Sequence, residues 1–212
     1  MLSNLSFHGD TRDGIAESHF IFTAVTLFLK NSVELRNGER ATLMHLNKNH
    51  IHAMLELQEK ETTGNTVKRS EETLRKLFAE GDNFAAFGMF NQSGKLIAQA
   101  TLRLNVELPE ILTGKFNAAA KHSTVGCVMV DPAYQGQGIA PVLIQKCLDE
   151  SREHGTDYAH ARIIAGEKEG ETANPASMHN FKNKFNFDVT ARGQSPESKT
   201  PRIVDFLTLK LN

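Results

Sequence analysis

Gln135-Gly136-Gln137-Gly138-Ile139-Ala140 is the stretch best equipped for chemistry, because two glycines one residue apart leave main-chain N–H groups unshielded. An anion can approach such a backbone closely, and the positive end of a helix placed beside it strengthens the attraction. The flanks supply that helix. Val125, Val128, Met129 and Val130 form a β-branched-rich apolar run that predicts a buried strand, and Asp131-Pro132 ends it, since proline cannot donate to a sheet ladder. Beyond the turn, Ile139, Val142, Leu143, Cys147 and Leu148 recur at helical spacing, while Gln145, Lys146, Asp149 and Glu150 fall mostly elsewhere. Pro141 is tolerated only in a first turn, so the helix starts near Gly138. Residues 123–148 thus predict strand, glycine turn and helix in direct succession, a cradle for phosphate.

Two kinds of phosphate loop fit poorly. A nucleotide triphosphate loop needs Gly-Lys-Ser/Thr, which occurs nowhere in the chain. A dinucleotide fold needs G-x-G-x-x-G directly after its strand, but the third position here is Pro141 and five residues, Asp131 to Gln135, intervene. Its acidic partner is also misplaced, because Glu167 lies 31 residues past Gly136 where about 20 are expected.

The form [Q/R]-x-x-G-x-[G/A], preceded by an apolar strand and Val-Asp-Pro, resembles the acetyl-CoA motif of the GCN5-related N-acetyltransferase (GNAT) superfamily. Asn174-Pro175-Ala176-Ser177 followed by FKNKFNF resembles the family's N-x-x-S helix and its turn into the next strand. VELRNGERATL at 33–43 and HLNKNHIHAMLELQEKE at 45–61 look like its first hairpin and first helix, so the likeness spans roughly residues 33–211. It implies an α/β (α+β) domain over 33–212 with a mixed, mostly antiparallel central sheet flanked by helices and with splayed central strands. Residues 1–32 are then an N-terminal extension with an extra strand at 20–29.

The resemblance also implies roles. The backbone at Val128, Met129 and Val130 would take the pantetheine amides, with the Val130 N–H near the acetyl oxygen; Gln135, Gly136, Gln137, Gly138, Ile139 and Ala140 would hold the pyrophosphate. Asn174 would reach the pantetheine arm, with Ser177 one turn on. Many members carry a tyrosine seven residues after that asparagine, as the acid for the departing thiolate; this chain has Phe181. The interval to Phe187 is one residue longer than the common pattern, so Lys182 or Asn180 are alternatives at that position. The two tyrosines, Tyr134 and Tyr158, are not natural substitutes. No glutamate lies in the 123–130 strand, which leaves Thr124, Cys127 or water near the acetyl group, and Glu107, His122 and Glu167 as candidate bases near the ends of cleft strands.

Composition excludes several classes. A 212-residue chain with 40% apolar content is long enough for one sizeable core, and a net charge of −1 leaves no basic footprint for nucleic acid or an anionic membrane. The apolar run 20–29 is too short to span a bilayer, and acidic residues precede it where a secretory signal needs positive charge. Cys127 and Cys147 read as buried thiols, not a disulfide, and a cytoplasmic location follows as the default. His45, His50 and His52 form no complete ligand set, so no metal is expected.

Element by element, strands are predicted over 33–36, 40–46, 84–90, 95–104, 123–130, 158–165, 187–192 and 202–211. Helices are predicted over 48–60, 69–80, 138–153 and 175–184. The irregular stretches 105–122 and 193–201 are the candidates for acceptor recognition. Together these features lead to an acetyl-CoA-dependent N-acetyltransferase acting directly on a primary amine of a small molecule or peptide. A non-catalytic acyl-CoA-binding sensor or scaffold is the alternative. A homodimer, through the exposed sheet edge or residues 1–32, is left open.

Overall fold

A computed structural model describes residues 31–61, 66, 68–166, 171–195 and 202–212. The expected strand at 20–29 lies outside them. The chain forms β1 (Ser32–Glu34) and β2 (Arg40–His45), a 3-10 turn (Lys48–His50) running into α1 (Ile51–Glu59), and α2 (Glu71–Phe78). There follow β3 (Phe84–Asn91), β4 (Leu96–Arg103), β5 (His122–Val130), α3 (Ile139–Glu153) and β6 (Tyr158–Ile164). The last elements are α4 (Pro175–Met178), a π-helical turn (His179–Lys184), β7 (Asp188–Gln194) and β8 (Ile203–Lys210).

Local chemistry sets the boundaries. The first helical segment opens with a capping box, in which the Asn47 side chain accepts from a backbone N–H while His50 Nδ1 accepts from the Asn47 N–H at 3.0 Å. Ser70 caps α2 by accepting from the Thr73 N–H. Between β3 and β4, Asn91 Oδ1 accepts from the N–H groups of Ser93 and Lys95, and Gly94 takes the left-handed conformation that closes the hairpin.

The eight strands form one sheet in the order β1-β2-β3-β4-β5-β6-β8-β7, antiparallel except for the parallel pair β5 and β6. The expected mixed, mostly antiparallel sheet flanked by helices is therefore present. Alternation along β3 shows the two layers. Phe87 and Met89 belong to the core with Leu143, Ile144 and Cys147 of α3, whereas Phe84 and Ala86 pack with Met54, Leu57, Leu74 and Leu77 of α1 and α2. β4 is covered on both faces, so Gln99 and Thr101, the polar half of its alternating pattern, are buried rather than solvated. A third cluster gathers Leu112, Val204 and Phe206 with Leu108, Phe116 and Ala191, and so fastens the 105–121 segment onto β7 and β8.

Two helices differ from the sequence pattern. The 48–60 helix begins as a 3-10 turn, and the 175–184 helix is a single α-turn that widens into a π-turn. A π-turn accommodates one extra residue per turn, which accounts for the long interval between Phe181 and Phe187.

Candidate active site

β5 and β6 part company early. Their ladder covers only His122, Ser123 and Thr124 against Tyr158, Ala159 and His160, and beyond Thr124 the two strands diverge. β5 stays paired to β4 as far as Val130 opposite Ala98. On that side Thr101 faces Gly126 while Gln99 faces Met129, so Ala100 opposes both Cys127 and Val128: a β-bulge, with Cys127 at φ +47°. Bulges bend and twist the strand that carries them, and this one lies where β5 leaves β6. The Asp131 N–H donates to the Ile97 carbonyl at 2.8 Å. By antiparallel alternation, Val130 and Val128 then turn their N–H and C=O groups away from β4 and toward the opening.

The opening is a cleft of about 400 Å³. β4 contributes Thr101 and Arg103; β5 contributes Thr124, Gly126, Cys127 and Val128; β6 contributes His160 and Arg162. Asn174, Ser177 and Phe181 close it on the α4 side, and Glu107, Leu108 and Leu112 approach from the 105–121 segment. One of the two stretches singled out for acceptor recognition is thus part of the wall. Ser195 is the described end of the other, and it lines the cleft as well.

The glycine turn sits at the start of α3. Gly136 and Gly138 have φ of +78° and +83°, conformations that glycine adopts without strain, and Gly138 is the residue preceding the helix. Ile139 is buried beneath the turn while Gln135 and Gly136 are exposed. Asp131 anchors the entry to this turn: its carboxylate accepts from the Ala133 N–H and pairs with Lys60 of the segment after α1. Burial alone would raise the Asp131 carboxyl, but the Lys60 ammonium and the Ala133 N–H outweigh it and hold it below the usual range.

Of the candidate bases, Glu107 lines the cleft and is exposed. Glu167 lies outside the described residues. His122 is buried at the closed end of the opening, and its Nδ1 is 2.9 Å from His160 Nε2, whose own Nδ1 is 2.9 Å from Thr208 Oγ1. Both ring nitrogens of His160 are therefore committed to protein partners, so it presents ring carbon to the cleft. Desolvation, reinforced by the neighbouring imidazole, pushes His160 down to about 4; burial likewise lowers His122. Both rings are neutral at pH 7.

Asn174 Oδ1 accepts from the Ser177 N–H at 3.1 Å, a helix cap that still leaves Asn174 and Ser177 on the cleft wall. Phe181 is 4% exposed and packs edge-on against Phe187, whereas Lys182 is exposed to solvent. The cysteines are free thiols; Cys147 is buried against α3's neighbours and Cys127 accepts from Arg69 Nε at 3.1 Å. His45 packs against Phe87, and His52 faces Glu56 on the surface.

The sequence model of the acetyltransferase (GNAT) family matches residues 51–187. The chain belongs to that family. No curated protein sequence matches this GNAT chain. Solved structures with the same fold include the GNAT domain of Streptomyces lividans PAT, at 17% identity and a TM-score of 0.61 over 85% of this chain and 96% of that one. Arabidopsis thaliana NAA60 in complex with acetyl-CoA gives 10% identity and a TM-score of 0.64 over 81% and 99%. The ribosomal-protein-S18-alanine N-acetyltransferase from Escherichia coli gives 18% and 0.58 over 81% and 94%. No described helix is long and apolar enough to cross a membrane.

Several residues of this GNAT site escaped the sequence reading. Arg69, Arg103, His160 and Arg162 reach the cleft from three separate stretches, and Arg36 touches the glycine turn from the first hairpin. The alternation of β6 places His160 and Arg162 on one face, a signal available in the sequence; the contacts of Arg36 and Arg69 carry none.

Proposed function

We propose that this GNAT chain is an acetyl-CoA-dependent N-acetyltransferase that passes the acetyl group directly to a primary amine, in a reducing cytoplasm. One observation carries the reading: an unpaired β5 edge leads from a polar cleft to a double-glycine turn at a helix start. The turn fits a bulky anion, because nothing lies within 4 Å of the place a Cβ on Gly136 would occupy. Main-chain N–H groups of Gln135, Gly136, Gln137, Gly138, Ile139 and Ala140 would hold the diphosphate. Val128 and Val130 would offer backbone to the pantetheine amides as a sheet edge does to an added strand, while Met129 between them pairs with Gln99 of β4, and Asn174 and Ser177 line the same opening.

The coenzyme supplies an activated acetyl thioester. The amine's nitrogen forms a bond to the acetyl carbon, the carbon–sulfur bond breaks, and the thiolate leaves. Outward-facing main-chain N–H groups of Val128 and Val130 offer donors to the developing oxyanion. Glu107 receives the amine's proton, directly or through one water. Phe181 has no proton to give, so the thiolate takes one from solvent.

That same phenyl ring favours a second reading, an acyl-CoA sensor without turnover. Incubation with acetyl-CoA and a thiol-detecting reagent over a panel of amines separates the two. Steady CoA release with at least one acceptor is expected; tight binding with no turnover on any amine would establish the sensor. Calorimetric silence with every CoA derivative would remove both.

A further inference from the structure

We infer that the site also transfers acyl groups longer than acetyl, propionyl and butyryl, and that Gly126 leaves the space for them. This inference rests on the acetyltransferase reading and adds a further acyl donor to it. Glycine weakens a strand interior, so its presence there asks for a reason. Among the described strands it occurs at Gly88 in β3, Gly126 in β5 and Gly193 in β7. Packing supplies the reason twice: a Cβ on Gly88 would come within 2.6 Å of the Leu46 and Leu96 side chains, and one on Gly193 within 2.5 Å of Ile111. Gly126 has neither that reason nor a conformational one. The left-handed residue of the β5 bulge is its neighbour Cys127. Among the described residues a Cβ on Gly126 would meet Thr101 Oγ1 alone, at an ordinary 3.6 Å. Gly126 is nevertheless half-buried on the cleft wall, so the room above it belongs to the cleft.

Its place along β5 says what that room is for. A donor whose pantetheine pairs with Val130 and Val128 points its acyl group toward the closed end of the opening, where the β5–β6 ladder begins with Thr124 opposite His160. Two residues along a strand span about 7 Å, which puts Gly126 between the Val128 N–H and that closed end. A chain longer than acetyl cannot continue in the plane of the sheet, because the ladder shuts it, and must turn onto a face. Cross-strand partners share a face, so Thr101, opposite Gly126, and Thr124, two residues away, mark the one Gly126 would point to. Both line the cleft, and between them Gly126 offers no side chain. The Thr101 hydroxyl is occupied, donating to the Gly126 carbonyl at 3.0 Å. The transfer itself is unchanged: nitrogen bonds to the acyl carbon, the carbon–sulfur bond breaks, and the thiolate takes its proton from solvent.

Acetyl-, propionyl- and butyryl-CoA are compared in kcat/KM with the best amine of the panel, and by calorimetry without amine. In the wild type, propionyl-CoA should come within about threefold of acetyl-CoA, since an open site gains rather than loses from one methylene. Gly126→Ala should keep acetyl transfer within about threefold and lower propionyl and butyryl transfer relative to acetyl by about tenfold or more, the effect of one methyl group in a pocket. Gly126→Ser gives the same readout should the alanine variant not fold. If no amine turns over, the same ratios are read from the Kd values. A wild-type preference for acetyl over propionyl of more than about tenfold overturns the inference while leaving acetyl transfer intact. A variant that treats all three chain lengths as the wild type does, or weakens all three equally, also overturns it. Wild-type protein that binds no acyl-CoA would instead bring down the acetyltransferase reading itself.

Discussion

Arg36 reaches across 100 positions of sequence to donate from Nη1 to the carbonyl of Gly136 at 3.3 Å. Beside it the Asn37 N–H donates to Gln137 Oε1 at 2.9 Å, so the tip of the β1–β2 hairpin is clipped to the glycine turn. From Asp131 to Gln145 the chain contains no lysine or arginine. The Lys60 ammonium is paired with Asp131, so a diphosphate on that turn would otherwise rely mainly on main-chain dipoles. The exposed guanidinium is in position to neutralise it. Arg36 also precedes the 51–187 segment matched by the family, so this cation comes from a part of the chain that the match does not cover.

Arg36→Gln should accordingly raise the acetyl-CoA Kd about tenfold, the effect of one charge-assisted contact, with kcat at saturation within about twofold of wild type. Arg36→Lys should recover part of the loss, and the difference should shrink at high salt. An unchanged Kd in calorimetry would assign Arg36 a purely structural clip.

Much of this architecture was legible because it is written in local patterns. The β5 run, the glycine pair and the 3.6-residue repeat of α3 are contiguous, and each is decided by neighbours a few residues away. The polar half of β4 was legible as alternation but not as burial, because what covers Gln99 and Thr101 is set by long-range packing that alternation does not show. The parting of β5 from β6 needs the bulge at Cys127, and a bulge depends on how two strands register. Arg36, Arg69 and the fastening of the 105–121 segment onto β8 rest on long-range contacts that no spacing rule encodes. The one-residue excess before Phe187 was visible as an anomaly, and the π-turn is its physical form.

Glu107 is the candidate base that both lines the cleft and faces water. Glu107→Gln keeps shape and removes proton affinity, so kcat should fall by about 10²-fold. Raising the pH should restore part of the rate, because a larger fraction of the amine is then already neutral. Loss of less than threefold at all pH values would show that solvent alone takes the proton.

The Thr208–His160–His122 chain makes a stability prediction. His160 is pushed down to about 4, below the ordinary unfolded value of about 6.5. A base whose folded pKa is depressed contributes full stability above the unfolded value and loses it as pH falls toward the folded one. Stability should therefore decline between about pH 6.5 and 4, by roughly 2–3 kcal/mol from this group at most. In His160→Gln the melting temperature should vary less over that window than in wild type. Parallel curves for the two proteins would show that the ring's protonation is not linked to folding.

Phe181 lines the cleft where the family resemblance expects a phenol, and its ring is fixed edge-on to Phe187 with centroids 5.1 Å apart. Its main-chain position lies in the π-turn. Phe181→Tyr adds one hydroxyl to a ring on the cleft wall, and an acid near the leaving sulfur stabilises the charge that develops as the carbon–sulfur bond breaks. If thiolate departure limits turnover, kcat should rise at least about threefold and a new alkaline limb should enter the pH–rate profile near the ordinary tyrosine value of about 10. The acetyl-CoA Kd should change little, because the added donor acts on the leaving group and not on the diphosphate. An unchanged kcat with a normally folded variant would mean that amine attack limits the rate, and that this chain loses nothing by carrying phenylalanine there.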